Sequence, residues 1–222
     1  MRDLLDVLFP SSCAGCGTPG VAACDRCLAS LRARPRMTSP TPAPRGLPPV
    51  ATIAPYDGAV RGLLVAYKER GVTGLHVPLA VALAHAIVHV LDRYRLVAAR
   101  IVPVPSSRSA RRMRGADVVA ALARAAARLL RRDGRDVVVV RALVHDRRVD
   151  DSARLGADAR WANVHGSMRI RGSPHWSAAV PAIVVDDVVT SGATLAEASR
   201  ALAASGATVL GAATVAATRR RE

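Results

Sequence analysis

Two short stretches of the chain hold residues whose types and spacing could do chemistry. Residues 182–194 read Ala-Ile-Val-Val-Asp-Asp-Val-Val-Thr-Ser-Gly-Ala-Thr. The four apolar residues Ala182 to Val185 predict a short buried strand, so Asp186 and Asp187 fall where it should end. A loop of small and hydroxylated residues follows, Thr190, Ser191, Gly192, Ala193 and Thr194, and leads into an alanine-rich helix predicted over 195–204. Such a helix start offers free backbone N–H groups and the positive end of the helix dipole, which suits a phosphate. Gly192 would let backbone approach the ligand, and the hydroxyls add donors. The carboxylates repel phosphate, so they should sit to one side and accept from neutral hydroxyls. A sugar diol that also carries a phosphate satisfies both halves. The plainer alternative is a strand, a turn and a helix capped by Thr194, with two acids facing solvent.

The second stretch holds all four cysteines, as Cys13-Ala-Gly-Cys16 and Cys24-Asp-Arg-Cys27. Two C-x-x-C knuckles so close together can give four thiolates to one tetrahedral zinc ion. Gly15 and Gly17 allow the tight turn that aims amides at sulfur. Four protein ligands leave no open position, so the expected role is structural. Two disulfides, or a redox pair, are the alternatives.

These groups need elements to hold them. At 222 residues the chain has room for one domain of ordinary size and a small appendage. Apolar residues make up 50% but aromatics only 3%, so the core must be Val, Leu and Ala. Alternating strand and helix patterns run from residue 51: strands at 51–56, 99–104, 136–143, near Met168, 182–185 and 207–215, and helices at 59–67, 75–94, 115–132, 154–163 and 195–204. That alternation predicts an α/β fold, a mainly parallel sheet flanked by helices, with ligand at the carboxyl ends of the strands. Residues 35–50 carry six of the chain's prolines and read as an extended linker. The expected organisation is a four-cysteine zinc module at 1–34, the linker, and an α/β domain at 51–218.

The formal net charge is +15, almost all of it arginine, since Lys68 is the sole lysine. Arginine forks suit phosphate and carboxylate, so the charge agrees with polyphosphate ligands or nucleic acid without choosing between them. Three basic segments are candidates to hold a polyphosphate. They are Lys68 with Arg70, the loop 105–115 containing Arg108 and Arg111, and Arg147 and Arg148 with Arg160 and Asn163 further on. The first ten residues lack a signal-peptide pattern, and the longest apolar run, 77–91, is short for a bilayer span. The expectation is therefore a cytoplasmic protein without membrane insertion.

The segment Asp186 to Thr194 resembles the PRPP-binding signature of type I phosphoribosyltransferases. With the cysteine knuckles at Cys13, Cys16, Cys24 and Cys27, the proline-rich segment, Tyr56 and Gly58, Lys68 and Gly71, Pro103-Val104-Pro105 with Arg108, Arg114-Gly115, and Arg160 with Asn163, the chain as a whole resembles the ComF family. That likeness covers nearly the full length. It implies a type I phosphoribosyltransferase-like sheet with an N-terminal zinc module, and a Mg²⁺-dependent PRPP site. In that site Asp186 and Asp187 hold the ribose and act in catalysis, Thr190 to Thr194 anchor the 5′-phosphate, and Lys68, Arg108 and Arg111 take the pyrophosphate. It implies transfer of phosphoribosyl to an unnamed acceptor and a link to DNA uptake and competence. The alternative is a PRPP or nucleotide sensor without turnover that binds single-stranded DNA, weakly and non-specifically, or a protein of the competence machinery. The sequence departs from the family where Ala116-Asp117-Val118 replaces Phe-Asn-Gln, and where Ser152 replaces a glutamine.

Overall fold

The computed structural model describes residues 12–106, 112, 115, 117–146, 164–172, 175–177 and 179–218. Its elements in chain order are α1 (Asp25–Ala29), β1 (Arg36–Thr38), β2 (Val50–Pro55), α2 (Gly58–Glu69), α3 (His76–Arg93), β3 (Ala98–Pro103), α4 (Val118–Arg132), β4 (Asp136–Val139), β5 (Leu143–His145), β6 (Met168–Ile170), β7 (Ala182–Val189), α5 (Ala193–Ala204) and β8 (Val209–Ala217). Short 3₁₀ turns at Ser30–Arg32 and Thr73–Leu75 follow α1 and precede α3.

Six strands form one sheet in the order β1-β2-β8-β7-β3-β4, and every neighbouring pair is parallel except β1 with β2. Successive side chains alternate between its faces, as a pleated strand requires. Ala99, Ile101, Ile183 and Val185 join the cluster containing α2, α3 and α4 residues. Val102, Val104, Ala182 and Val184 join the cluster containing α5. With both faces covered, the strands read as unbroken apolar runs rather than alternating ones. The largest fully buried side chains are leucines and isoleucines, as the scarcity of aromatics requires.

The chain leaves β3 through α4 to reach β4 on one side, and leaves β7 through α5 to reach β8 on the other. The order of the sheet therefore reverses between β3 and β7. The crevice at their carboxyl ends is where ligands bind in open α/β sheets.

Four expectations need adjustment. The strand at 182–185 runs on to Val189, so both aspartates lie inside it rather than beyond its end. The stretch predicted as one strand at 136–143 breaks after Val139, and its last residue opens β5, which pairs antiparallel with β6 in a separate ribbon. The helix expected from 115 begins at Val118, after Asp117 caps it by accepting from the Ala120 amide. Within the proline-rich segment, Arg36–Thr38 forms an edge strand; Pro35 and Pro40 lie outside it, and an edge is where the sheet tolerates proline. The helix expected at 154–163 lies outside the described residues.

One helical stretch, Thr73–Arg93, is long and apolar enough to cross a bilayer, and 56% of its most apolar window is buried inside the fold. Leu79, Leu83, Ile87 and Leu91 are fully covered, which is the pattern of a core helix against the sheet.

Candidate functional site

Asp186 and Asp187 are consecutive residues of β7, and their carboxyls stay close enough to interact with each other and with Lys68. Asp187 lies on the face shared with α2, is 4% exposed, and its Oδ2 is 2.6 Å from Lys68 Nζ. Lys68 sits in the last turn of α2, where a cation also complements the helix dipole. The structure thus brings together two site residues separated by more than a hundred positions in sequence. The acids are not the solvent-facing pair of the plainer alternative. Asp186, half-buried, accepts a hydrogen bond from the Asp187 amide at 2.8 Å. Lost hydration and the neighbouring Asp187 carboxylate push its carboxyl well above the usual carboxylate range, against the pull of Lys68. Across the sheet from Asp186, Thr214 and then Thr52 fall in register, and both hydroxyls are buried without a hydrogen-bond partner among the described residues.

The loop after β7 opens α5 without a side-chain cap, and Gly192 takes the N-cap position at φ 77°. Thr194 lies inside the helix, so it is not the cap that the plainer alternative required. Ser191 Oγ approaches the Ala193 amide only at 3.4 Å, too long for a firm bond. The start of α5, just beyond the acid pair in the chain, therefore has no firm side-chain cap. Gly192 is also covered from outside. A Cβ there would lie 3.0 Å from Leu47 Cδ2 and 3.2 Å from Pro40 Cγ. The proline-rich segment thus packs on the loop between β7 and α5, a contact no local pattern could have signalled.

Helix α5 is anchored by an ion pair between a buried acid and an exposed arginine. Glu197, fully buried, receives Arg200 Nε at 2.7 Å and Nη2 at 2.9 Å, and the Met168 amide at 2.9 Å. Burial alone would raise the Glu197 carboxyl, but the bonds from Arg200, Met168 and Gly166 hold it below the usual range. Sequence reasoning passed over this pair; its only trace was an acid three residues before an arginine in an otherwise alanine-rich helix.

At the other end of α2, the four sulfur atoms of Cys13, Cys16, Cys24 and Cys27 lie within 4.8 Å of one another. Cys16 and Cys24 Sγ are 3.6 Å apart, far beyond a disulfide bond, and all four thiols are free. Sulfurs bound at ~2.3 Å to a tetrahedral zinc ion would stand about 3.8 Å apart, so the cluster has the size and ligand set of a four-cysteine zinc site. Its electrostatics call for a cation. Hydrogen bonds from the Thr18 hydroxyl and amide, from Arg26 and from Cys24 pull the Cys16 thiol down to about 5. Burial and the neighbouring sulfurs drive Cys27 the other way. Burial also works against Cys13, yet amide bonds from Cys24, Gly15 and Cys16 leave it lowered. Without a metal these sulfurs cannot all ionise together; a divalent ion lets them. Gly15 is required by contact, since a Cβ there would stand 2.7 Å from Cys27 Sγ. Gly62 of α2 is required too, because a Cβ there would collide with the Ala14 carbonyl oxygen. The first knuckle therefore rests on the helix that carries Lys68. The same helix is tied to the start of α3 by Tyr67 Oη and His76 Nδ1 at 2.7 Å.

The remaining expected cations, Arg108, Arg111, Arg147, Arg148 and Arg160, lie outside the described residues, with Asn163. At the opposite rim of the crevice, Pro103, Pro105, Asp117, Arg141, Leu143, Val144, His145 and Arg171 line a cleft of ≈ 190 Å³. Of these, Pro103 and Pro105 belong to the segment read as a ligand-binding edge. Asp117 had been noted only as a departure from the family pattern. Arg141, His145 and Arg171 carry no spacing that marks them, because strand pairing brings them together. No protein-family model matches this chain, and no curated protein matches it.

Proposed function

We propose that the β3–β7 crevice binds Mg²⁺–PRPP and that the protein is a phosphoribosyltransferase-like protein with a structural zinc ion. The observation that carries the proposal is the pairing of buried Asp187 with partly exposed Lys68, beside an uncapped helix start at the sheet's point of reversal. Asp186 and Asp187 accept the ribose 2′ and 3′ hydroxyls, and the amides and hydroxyls of Thr190 to Thr194 hold the 5′-phosphate. Lys68 is placed to exchange its carboxylate partner for a pyrophosphate oxygen once the diol occupies Asp187. Arg108 and Arg111 add charge to the pyrophosphate half. Magnesium is carried by substrate oxygens, in keeping with its preference for phosphate and water ligands. Zinc belongs to Cys13, Cys16, Cys24 and Cys27 and has no part in the chemistry.

In the reaction the C1–O bond to pyrophosphate breaks, pyrophosphate leaves with the electron pair, and an acceptor lone pair forms the new bond at C1. Fixed negative charge near C1 favours the oxocarbenium-like transition state over the neutral ground state. The test is calorimetric binding of PRPP with Mg²⁺ beside a pyrophosphate-release assay. Binding and release both lost in Asp187→Ala support the proposal; no binding of PRPP by the wild-type protein overturns it.

A second reading keeps the pocket and drops turnover. Arg124, Arg128, Arg131 and Arg132 lie exposed along one side of α4, a spacing that repeats on a helix face and could follow a phosphate backbone. The protein would then sense PRPP or a nucleotide while holding single-stranded DNA weakly and without sequence preference. Only 3% aromatic residues limits base stacking, so such binding should collapse with salt. PRPP binding with no pyrophosphate released on any acceptor, and salt-sensitive DNA binding weakened by Arg124→Gln with Arg128→Gln, would favour it.

A further inference from the structure

Two threonines stand in the sheet where valine or alanine would fit. Thr52 on β2 and Thr214 on β8 are 0% exposed, and neither hydroxyl has a hydrogen-bond partner among the described residues. Their neighbours along both strands are apolar and buried, Ala51 and Ile53 beside the first, Ala213 and Val215 beside the second. A buried hydroxyl without a partner destabilises the fold, whereas a methyl of the same size would not. Ser199, also buried, shows the usual solution: its hydroxyl donates to the Leu195 carbonyl at 2.8 Å.

Register shows what the two threonines share. Thr52 pairs with Thr214 and Thr214 pairs with Asp186, so the three form one row across β2, β8 and β7. Neighbouring strands lie ~4.8 Å apart, a gap that side chains in one row can bridge by a hydrogen bond after a turn about χ1. A hydroxyl donates one proton and still accepts; an ionised carboxylate only accepts, and a protonated one is itself a donor. The row is therefore completed by one charge state. Thr52 donates to Thr214, Thr214 donates to Asp186, and the negative charge sits at the end. In the free protein, burial and the Asp187 carboxylate raise the Asp186 carboxyl, which agrees with two hydroxyls left unpaired. We infer that Thr214, backed by Thr52, is a positioning residue for Asp186, donating to its ionised carboxylate and holding it in the orientation that accepts a ribose hydroxyl. The inference rests on the PRPP reading of the crevice for its ligand. No bond to substrate forms or breaks at either threonine; the hydroxyls turn as Asp186 gives its proton to water. Among the described residues, the charged groups acting on Asp186 are Asp187 beside it and Lys68 from α2. β8 brings none, and Glu197 and Arg200 of α5 are paired with each other. The threonine chain thus supplies an uncharged donor that stays with Asp186 when Lys68 turns to the pyrophosphate.

Thr214→Val, Thr214→Ser and Thr52→Val in the full-length zinc-loaded protein test this. The melting temperature of the free protein should stay level or rise in Thr214→Val, since a methyl of the same shape replaces an unpartnered hydroxyl. Asp186, followed by ¹³C-carboxyl NMR and assigned through Asp186→Asn, should titrate about one unit higher in Thr214→Val, because the ionised form has lost a donor. That readout needs no ligand. Calorimetric affinity for Mg²⁺–PRPP should fall about tenfold or more, the worth of a hydrogen bond to a charged group, and Thr214→Ser should keep most of it. The pH above which PRPP binds tightly should move up together with the carboxyl. Thr52→Val should cost a few-fold alone and nothing further in a Thr214→Val background, where the chain is already cut. A melting temperature that falls in Thr214→Val, an Asp186 titration that does not move, or Thr52→Val losses that simply add would each overturn the inference. If the titration shifts but wild type binds no PRPP, the chain stands and the donor reading falls. If PRPP binds wild type and Thr214→Val equally, the donor reading stands and the inference falls.

Discussion

The four-cysteine cluster and the Asp186–Thr194 segment each crowd like charges into a few residues, and they relieve the crowding in different ways. In the cluster the ligands come from two adjacent knuckles and only a cation from outside can neutralise them. In the segment, one acid is matched by Lys68 from a distant helix and the other is pushed toward its protonated form. The first arrangement is complete once its metal is bound, with nothing left for a substrate. The second is matched by a lysine and by a carboxyl whose hold on a proton is raised, and a ligand can displace either. A site that must be emptied and refilled is better served by partners that exchange than by four fixed thiolates.

The contrast can be broken by substitution. Cys27→Ser should have the largest effect, because it removes a buried sulfur that belongs both to the cluster and to the core. Metal analysis should show zinc lost, and thermal melting should fall by more than ~10 °C, since binding of a structural zinc ion is folding free energy. An unchanged melting temperature would make the cluster an ornament on the fold. Glu197→Gln should follow, at about 1–3 kcal/mol in denaturant titration, because the buried group loses the charge that Arg200 and the Met168 amide bond, while the exposed Arg200 can turn to water. Its pH dependence has a definite sign. A carboxyl held below its ordinary range stabilises the fold above that range and loses the contribution as pH falls through its lowered pKa, so the variant should be less acid-sensitive than wild type.

Gly192→Ala comes next, with ~1–3 kcal/mol for a side chain at φ 77° and further loss from the collision with Leu47 and Pro40. PRPP binding should go with it. Asp187→Asn should sharpen the contrast most cleanly: stability within about 1–2 kcal/mol of wild type, since the half-exposed Lys68 can turn to solvent, but PRPP binding abolished. The smallest effect is on protons. Asp186 is raised in the free protein, and a diol requires the ionised carboxylate, so binding should release a proton. PRPP affinity should therefore strengthen as pH rises through that raised pKa, and the apparent binding enthalpy should change between buffers of different ionisation heat. Affinity that is flat with pH would mean Asp186 does not touch the ribose.

Much of the frame was legible because it rests on local signals. The apolar runs of β2, β3 and β8 and the long periodic helices α3 and α4 appear within a residue or three of their expected bounds, and β7 starts where expected. The knuckles were legible because they bring their four sulfurs together from two short runs of consecutive residues. What could not be read depends on neighbours in space. Asp186 and Asp187 stay in the strand because β8 continues to pair alongside them as far as Ala217. β4 and β5 divide because β5 finds β6 instead of β3. The partner of Asp187, the contact of Leu47 with Gly192, and the meeting of Arg141, His145 and Arg171 all join residues far apart in the chain. Charge and periodicity say nothing about such pairings.

Gly62 also has a consequence for anyone trimming the chain. The proline-rich segment looks like a natural place to cut, with a free-standing domain expected to begin near Val50. Yet a protein started there would uncover the notch in α2 that the Ala14 carbonyl fills, strip β2 of its antiparallel neighbour, and leave Leu47's place over Gly192 empty. Domain dissection at that boundary should give an insoluble or loosely folded fragment, and residues 12–50 are better regarded as one wall of the same building.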